Sequence, residues 1–197
     1  MTMTDYKEIL DVLRKGGVIL YPTDTVWGIG CDATNEEAVA KVFAIKRRSE
    51  AKSLVLLASD LDMVAMHVKQ IPSVAIDLVE VNDAPMTIIY PGAQYLAKNA
   101  VAEDGTVGIR IPFVEEGVQE GPALFCRELV RRLRHPLVST SANISGEPTP
   151  TSFKEISQEI KDAVDYVVSP KLEAGSTGRA SQIIKLGIDG EVQIIRK

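Results

Sequence analysis

Short apolar runs that carry no polar alternation, each cut off by a turn residue or a polar loop, constrain this chain more than any other feature. Val18 to Tyr21 is one such run, ended by Pro22, and Leu54 to Leu57 is another. A strand that lacks alternation is covered on both faces, the situation of a sheet sandwiched by helices. The intervening stretch supplies the helix. Thr34-x-x-Glu37 has the spacing of a capping box, and Ala38, Val39, Val42, Phe43 and Ile45 fall on one helical stripe that ends at Lys46-Arg47-Arg48. After the second run, Ser59-Asp60 can cap a helix through Leu61, Val64, Ala65 and Val68. This β-α-β rhythm predicts an α/β chain.

The remaining segments fit the same reading. Tyr6, Ile9, Leu10 and Leu13 predict an opening helix with Thr4 as its N-cap, stopped by Gly16-Gly17. Val74 to Val81 reads as helix, Met86 to Tyr90 and Val107 to Ile111 as strands, and Leu124, Leu129, Val130 and Leu133 as the inner face of a further helix. Leu137 to Thr140 is a buried strand feeding the loop Ser141 to Gly146. Ser152-x-x-Glu155 forms a second capping box ahead of Ile156, Ile160 and Val164, which share a helical face with Phe153. Ile183 to Leu186 and Val192 to Ile195 flank Asp189-Gly190, a type I′ hairpin signal. No repeat or linker interrupts the pattern, so one α/β domain over residues 1–197, with a mixed sheet and flanking helices, is expected.

Composition narrows the class. With 45% hydrophobic and 25% charged residues, the chain can bury enough apolar surface to offset its ordering entropy. No apolar run approaches the roughly 20 residues of a membrane span, and the polar start lacks the apolar core of an export signal, which reads as cytoplasmic. Two cysteines, Cys31 and Cys126, are too few for a disulfide framework or a zinc cage, and read as small buried apolar residues. A net charge of −5 argues against a surface coated in nucleic acid. The cations nonetheless cluster, around Lys46 to Arg48 and at Arg127, Arg131, Arg132 and Arg134.

Familiar catalytic motifs are missing. There is no Walker loop and no H-E-x-x-H, Gly28-Ile29-Gly30 lacks the third glycine of a dinucleotide fingerprint, and His67 and His135 have no companion ligands. Three strand-end loops carry the polar groups instead, where open α/β sheets place ligands. Thr23-Asp24-Thr25 follows the first strand, and its hydroxyls either cap backbone groups or meet a ligand. Lys46, Arg48 and Lys52 either meet a helix dipole or clamp a polyphosphate. Ser139-Thr140-Ser141-Ala142-Asn143 leaves a core strand with four polar side chains, which backbone satisfaction accounts for only in part.

Five segments, in order, resemble a known family: Y-P-T-D-T-V-W-G-I-G from Tyr21, K-R-R-x-x-x-K-S-L from Lys46, T-V-G-I-R-I-P from Thr106, S-T-S-A-N-I-S-G from Ser139, and the terminal S-Q-I-I and I-I-R. Together they resemble the YrdC/Sua5 family of threonylcarbamoyl-AMP synthases, from Gly17 to Arg196. The resemblance implies a YrdC/RibB-type fold, a twisted mixed parallel and antiparallel sheet around a large basic cleft. It also implies a single YrdC-like domain, without the linker and second domain of longer Sua5 proteins. The implied activity joins L-threonine, bicarbonate and ATP, with Mg²⁺, into threonylcarbamoyl-adenylate and pyrophosphate. That product serves t6A modification at adenosine 37 of tRNA, through a transferase complex of the TsaB, TsaD and TsaE type.

The family's K-x-R and S-x-N pairs stand here as Lys46/Arg48 and Ser141/Asn143, implied to be catalytic. The resemblance places Thr25, Arg110, Ser139 and Ser181 on threonine, with Arg110 on its carboxylate. It places Lys46, Arg48, Lys52, Thr106, Ser141, Asn143, Thr149 and Arg196 on ATP, and no protein ligand on a metal. Two other readings stay open. One is a non-catalytic double-stranded RNA or tRNA-binding module that grips phosphates through Arg127, Arg131, Arg132 and Arg134. The other is a sibling enzyme acting on a different carbamate or on a sugar phosphate.

Overall fold

The computed structural model describes residues 3–49 and 54–197. Helix α1 (Met3–Arg14) leads into β1 (Ile19–Tyr21) and β2 (Gly28–Gly30), then α2 (Glu36–Ile45), β3 (Val55–Leu57), α3 (Leu61–His67) and α4 (Ser73–Val81). Next come β4 (Met86–Tyr90), β5 (Val107–Arg110), α5 (Pro122–Leu133), β6 (Leu137–Val138) and β7 (Thr140–Ser141). The chain continues through α6 (Gln158–Ala163) and β8 (Tyr166–Val167) to β9 (Gln182–Leu186) and β10 (Val192–Arg196).

The strands form two sheets where one was expected. The smaller runs β7-β2-β1-β8 and the larger β10-β9-β4-β5-β3-β6. Both are mixed: β1 pairs β8, β3 pairs β5 and β4 pairs β9 in parallel, and the other pairings are antiparallel. The reason lies in the segment read as a single strand, Leu137 to Thr140. Leu137 and Val138 pair with β3 of the larger sheet, the Ser139 amide still donates to Val55 O at 2.8 Å, and Thr140 and Ser141 then pair with β2 of the smaller sheet. Ser139 is therefore the hinge between the sheets. Close approach makes this crossing possible, because a Cβ at Gly30 would lie 2.2 Å from Val138 O.

The core fills the space around both sheets, with Tyr21, Trp27 and Tyr90 fully buried and the Tyr21 hydroxyl donating to Val138 O at 3.0 Å. Helix α2 turns Ala38, Val39, Val42 and Phe43 inward, and α5 does the same with Phe125, Cys126, Leu129, Val130 and Leu133. Cys31 and Cys126 are buried and free, as expected.

Several local expectations are corrected. The cap of α2 is Asn35, whose side chain accepts from the Ala38 amide at 3.0 Å, while Thr34 donates to Asp32. Helix α1 already includes Met3, so Thr4 lies inside it. The second box is also displaced: Glu155 reaches back to the Thr151 amide at 2.7 Å around a 3-10 turn, Phe153–Glu155, and Ser157 caps α6. The terminal hairpin does form, but Gly190 alone has positive φ and its amide bonds Gly187 O, which is a type I turn closed by a glycine bulge. Asp60 caps α3 as expected, accepting from Met63 N at 2.8 Å.

Candidate active site

The loop between β1 and β2 is held rigid from two directions. Inside it, Thr23 Oγ1 donates to Val26 O at 2.7 Å, accepts from the Thr25 amide, and lies 2.8 Å from Thr25 Oγ1. From outside, Ser176 Oγ donates to Thr23 O at 2.6 Å, and the Thr177 and Gly178 amides donate to Asp24 O and Thr25 O, both at 2.8 Å. Thr25 is thereby presented with little conformational freedom. Asp24 turns into the protein and forms an ion pair with Arg110 at the end of β5. Arg110 is only 3% exposed, so this is a buried pair, and Asp24 fixes the guanidinium where the two sheets face each other.

The basic end of α2 behaves differently from a solvated cation cluster. Lys46 is 2% exposed and its ammonium donates to Ser141 O and, at 2.8 Å, to Asn143 O, while Ser145 N donates back to Lys46 O at 2.9 Å. The lysine thus pins the loop after β7 from behind. Burial, assisted by the charge of Arg48, lowers its pKa to about 8. Arg47 takes positive φ, its amide bonds Ala44 O and the Arg48 amide bonds Phe43 O, which closes the helix in a left-handed turn, while the Arg47 guanidinium pairs with Glu159 of α6. Burial also pulls the Arg48 and Arg196 guanidinium groups below their ordinary range, although both stay protonated at any working pH.

These elements enclose a cavity of about 390 Å³, within the roughly 300–1,000 Å³ range of small-molecule sites. The smaller sheet contributes Thr23, Thr25, Trp27, Gly28, Thr140 and Ser141. The larger one contributes Thr87 of β4, Gly108 and Arg110 of β5, and Ile195 and Arg196 of β10; Ser139, Thr149 and Ser181 complete the wall with Arg48. Among the described residues that line it are three arginines and no carboxylate, so an anion entering it meets positive charge.

Of the expected site residues, Thr25, Arg48, Arg110, Ser139, Ser141, Thr149, Ser181 and Arg196 converge on this cavity. Lys46 stands behind its wall. The Asn143 side chain is turned away, donating to Ile144 O at 3.0 Å and Glu147 O at 2.8 Å. Thr106 is not among the lining residues: it binds the Asp104 carboxylate at 2.6 Å just before β5 begins, whereas Arg110 stands at that strand's far end. Lys52 lies outside the described residues. The sequence reading missed two contributors. Thr87, hydrogen-bonded to Ser181 Oγ at 2.8 Å, is the one small polar side chain in the apolar run of β4, and that was its only signal. Asp24, as the partner of Arg110, is 86 residues away in sequence and gave none.

The second arginine cluster is partly neutralised. Arg131 and Arg132 pair with Glu128, and Arg132 also sits 4.8 Å over the Tyr6 ring. His135 is held by Asp32 at 2.7 Å, and among the described residues no group of three or more His, Cys, Asp or Glu is placed to hold a metal.

The Sua5/YciO/YrdC family model, described as telomere recombination, matches residues 11–197. A threonylcarbamoyl-AMP synthase of Idiomarina loihiensis is 33% identical over 183 residues, which is 91% of this chain and 90% of that protein. The chain belongs to the Sua5/YciO/YrdC family. Two structures of Sua5 from P. abyssi share the fold: one superposes with a TM-score of 0.83 at 23% identity over 100% of this chain, and the other, complexed with L-threonine, with 0.77 at 24% over 92%. This chain spans only 57% and 50% of the chains in those two structures. The two residue pairs singled out by the resemblance touch: Lys46 holds the backbone carbonyls of Ser141 and Asn143. Among the described residues no helix is long and apolar enough to cross a membrane.

Proposed function

We propose that this chain is an L-threonylcarbamoyladenylate synthase that uses L-threonine, bicarbonate and ATP and releases pyrophosphate. The observation that carries the reading is the convergence of Arg48, Arg110 and Arg196, from three separate stretches, on one hydroxyl-lined cavity. Its relative from Idiomarina loihiensis bears the same activity in its name, and the Sua5 of P. abyssi was captured with L-threonine.

The chemistry needs such a site and no protein nucleophile. Carboxylation of the threonine amine gives a carbamate, whose oxygen attacks the α-phosphorus and expels pyrophosphate. Positioning and charge neutralisation then do most of the catalysis. In this reading Arg110, pre-oriented by Asp24, takes the threonine carboxylate, with Thr25, Ser139 and Ser181 beside it. Arg48 and Arg196 neutralise the triphosphate and the departing pyrophosphate, with Ser141 and Thr149 on the nucleotide. Lys52 belongs to the same cation set by resemblance. Lys46 acts from behind, through the Ser141 and Asn143 carbonyls. Mg²⁺ would arrive with ATP, held by phosphate oxygens and water, and the neutral hydroxyls of Ser141 and Thr149 suit a hard cation already neutralised by phosphate. One YrdC-like domain, residues 1–197, carries all of this. The labile adenylate then passes to a TsaB, TsaD and TsaE type complex acting on tRNA.

The test is pyrophosphate release. It should require ATP, threonine and bicarbonate together, and serine in place of threonine should measure the contribution of the threonine pocket. Release that ignores threonine, or steeply salt-dependent RNA binding without turnover, would favour the binding-module reading instead.

A further inference from the structure

One carboxylate oxygen ties two distant segments of the chain to each other. Glu173 Oε2 accepts from the indole Nε1 of Trp27 at 2.7 Å and also from the Phe153 amide at 2.9 Å. Trp27 is 1% exposed and belongs to the cavity wall. The Phe153 ring packs against it with centroids 5.0 Å apart, and Lys161 covers Phe153 at 4.5 Å from its ring. Phe153 lies four residues after Thr149, an exposed residue at the rim of the same cavity. Glu173 itself lines no part of the cavity.

We propose that Glu173 is a positioning residue for the nucleotide half of the site, bracing the Thr149–Phe153 strap against the Trp27 wall. The inference rests on the synthase reading and extends it to a residue that touches no substrate. Its selectivity follows from what else holds each wall. The Thr23–Thr25 loop keeps three independent bonds from Ser176, Thr177 and Gly178 when Glu173 is lost. The strap loses the bond that fixes the Phe153 amide, and the buried Trp27 indole N–H loses the carboxylate that accepts it. Loosening should therefore reach ATP and spare threonine, because a displacement of about 1 Å in a positioning group costs far more than the bond itself. Both donors meet the same oxygen, so a glutamine carbonyl there can accept both.

Trp27 is the only tryptophan of the chain, so its emission reports this wall directly. The experiment titrates ATP with Mg²⁺ into wild type, Glu173→Ala and Glu173→Gln, following Trp27 fluorescence without turnover, and then measures the two KM values by pyrophosphate release. Glu173→Ala should weaken ATP binding and raise its KM by about tenfold, leave the threonine KM within twofold, and expose Trp27 to acrylamide quenching; Glu173→Gln should match wild type. If Glu173→Ala does not fold, Phe153→Leu should give the same selective loss, about fivefold. Wild type that binds ATP while both variants bind it equally well overturns the positioning role and leaves the synthase reading standing. Equal loss for threonine, or no rescue by glutamine, also overturns it. Wild type that binds no ATP overturns the synthase reading, and unchanged quenching of Trp27 in Glu173→Ala then overturns the brace as well.

Discussion

Replacing Lys46 by methionine keeps the apolar stem and removes a buried ammonium that serves two carbonyls, so it isolates what that charge does. Holding the lysine pKa at about 8 against an ordinary 10.5 means that protonation in the fold costs about 3 kcal/mol at neutral pH. The two hydrogen bonds to Ser141 O and Asn143 O, roughly 1.5–3 kcal/mol each for a charged donor, offset it. The sign of the pH dependence follows. Below pH 8 both states bind the proton and the cost is constant. Between about pH 8 and 10.5 the unfolded chain holds a proton that the fold has released, so the lysine's contribution to stability rises with pH. A neutral amine still has two N–H groups for the two carbonyls, so the staple survives its deprotonation. Lys46→Met lacks this titration. The stability gap between wild type and variant should widen by about 2 kcal/mol from pH 7.5 to 9.5, or about 4–8 °C in Tm for a chain of this size. Thermal melts followed by circular dichroism at the two pH values measure it, and every other titrating group cancels in the difference. The Ser141 loop, left with two unpaired carbonyls, should also lose placement, lowering pyrophosphate release roughly 100-fold. Parallel pH profiles for the two proteins would refute the buried ammonium, and full activity in the variant would refute the staple.

Four further substitutions separate the cavity, its buried support and the surface. Arg48→Ala should lower kcat/KM for ATP by about 100-fold or more, since it removes a cavity cation, whereas Arg131→Ala, exposed on α5 beside Glu128, should stay within twofold in the same assay. Asp24→Ala leaves a buried guanidinium without its carboxylate, which should cost about 3–5 kcal/mol by denaturant titration and raise the KM for threonine more than that for ATP. Gly30→Ala would force a Cβ to 2.2 Å from Val138 O and 2.7 Å from the Tyr21 ring, and should destabilise the fold by roughly 3 kcal/mol in the same titration.

What the sequence disclosed and what it withheld divide along one physical line. Local rules read well where the deciding partner is a few residues away: the buried stripes of α2 and α5, the Asp60 cap, and the extended runs of β1, β3, β4 and β5 all follow from spacing alone. Even there, a cap one residue off, Asn35 for Thr34, shows that neighbouring polar residues compete for the start of one helix and that geometry decides. Long-range partners were invisible. The break at Ser139 exists because residues on either side of it find different sheets, and the apolar pattern of Leu137 and Val138 carries no mark of that. The site shows the same limit more sharply. Residue type disclosed which groups could neutralise phosphate or seat a hydroxyl, and eight of the named positions do share one hollow. Residue type could not say on which side of the wall a group would stand. Lys46 and Arg48 are two residues apart and both cationic, yet one meets backbone carbonyls 95 and 97 residues away and is withdrawn from the cavity, while the other lines it. Thr106 and Arg110 share a strand face by parity, but four residues of extended chain span about 13 Å, and an aspartate two residues earlier holds the threonine at its own end. On the synthase reading, Lys46-x-Arg48 with Ser141-x-Asn143 carries two roles at once, a charge lining the cavity and a buried staple for the loop beside it. Of the two, only the burial of the lysine is testable without substrate, through the pH dependence of stability.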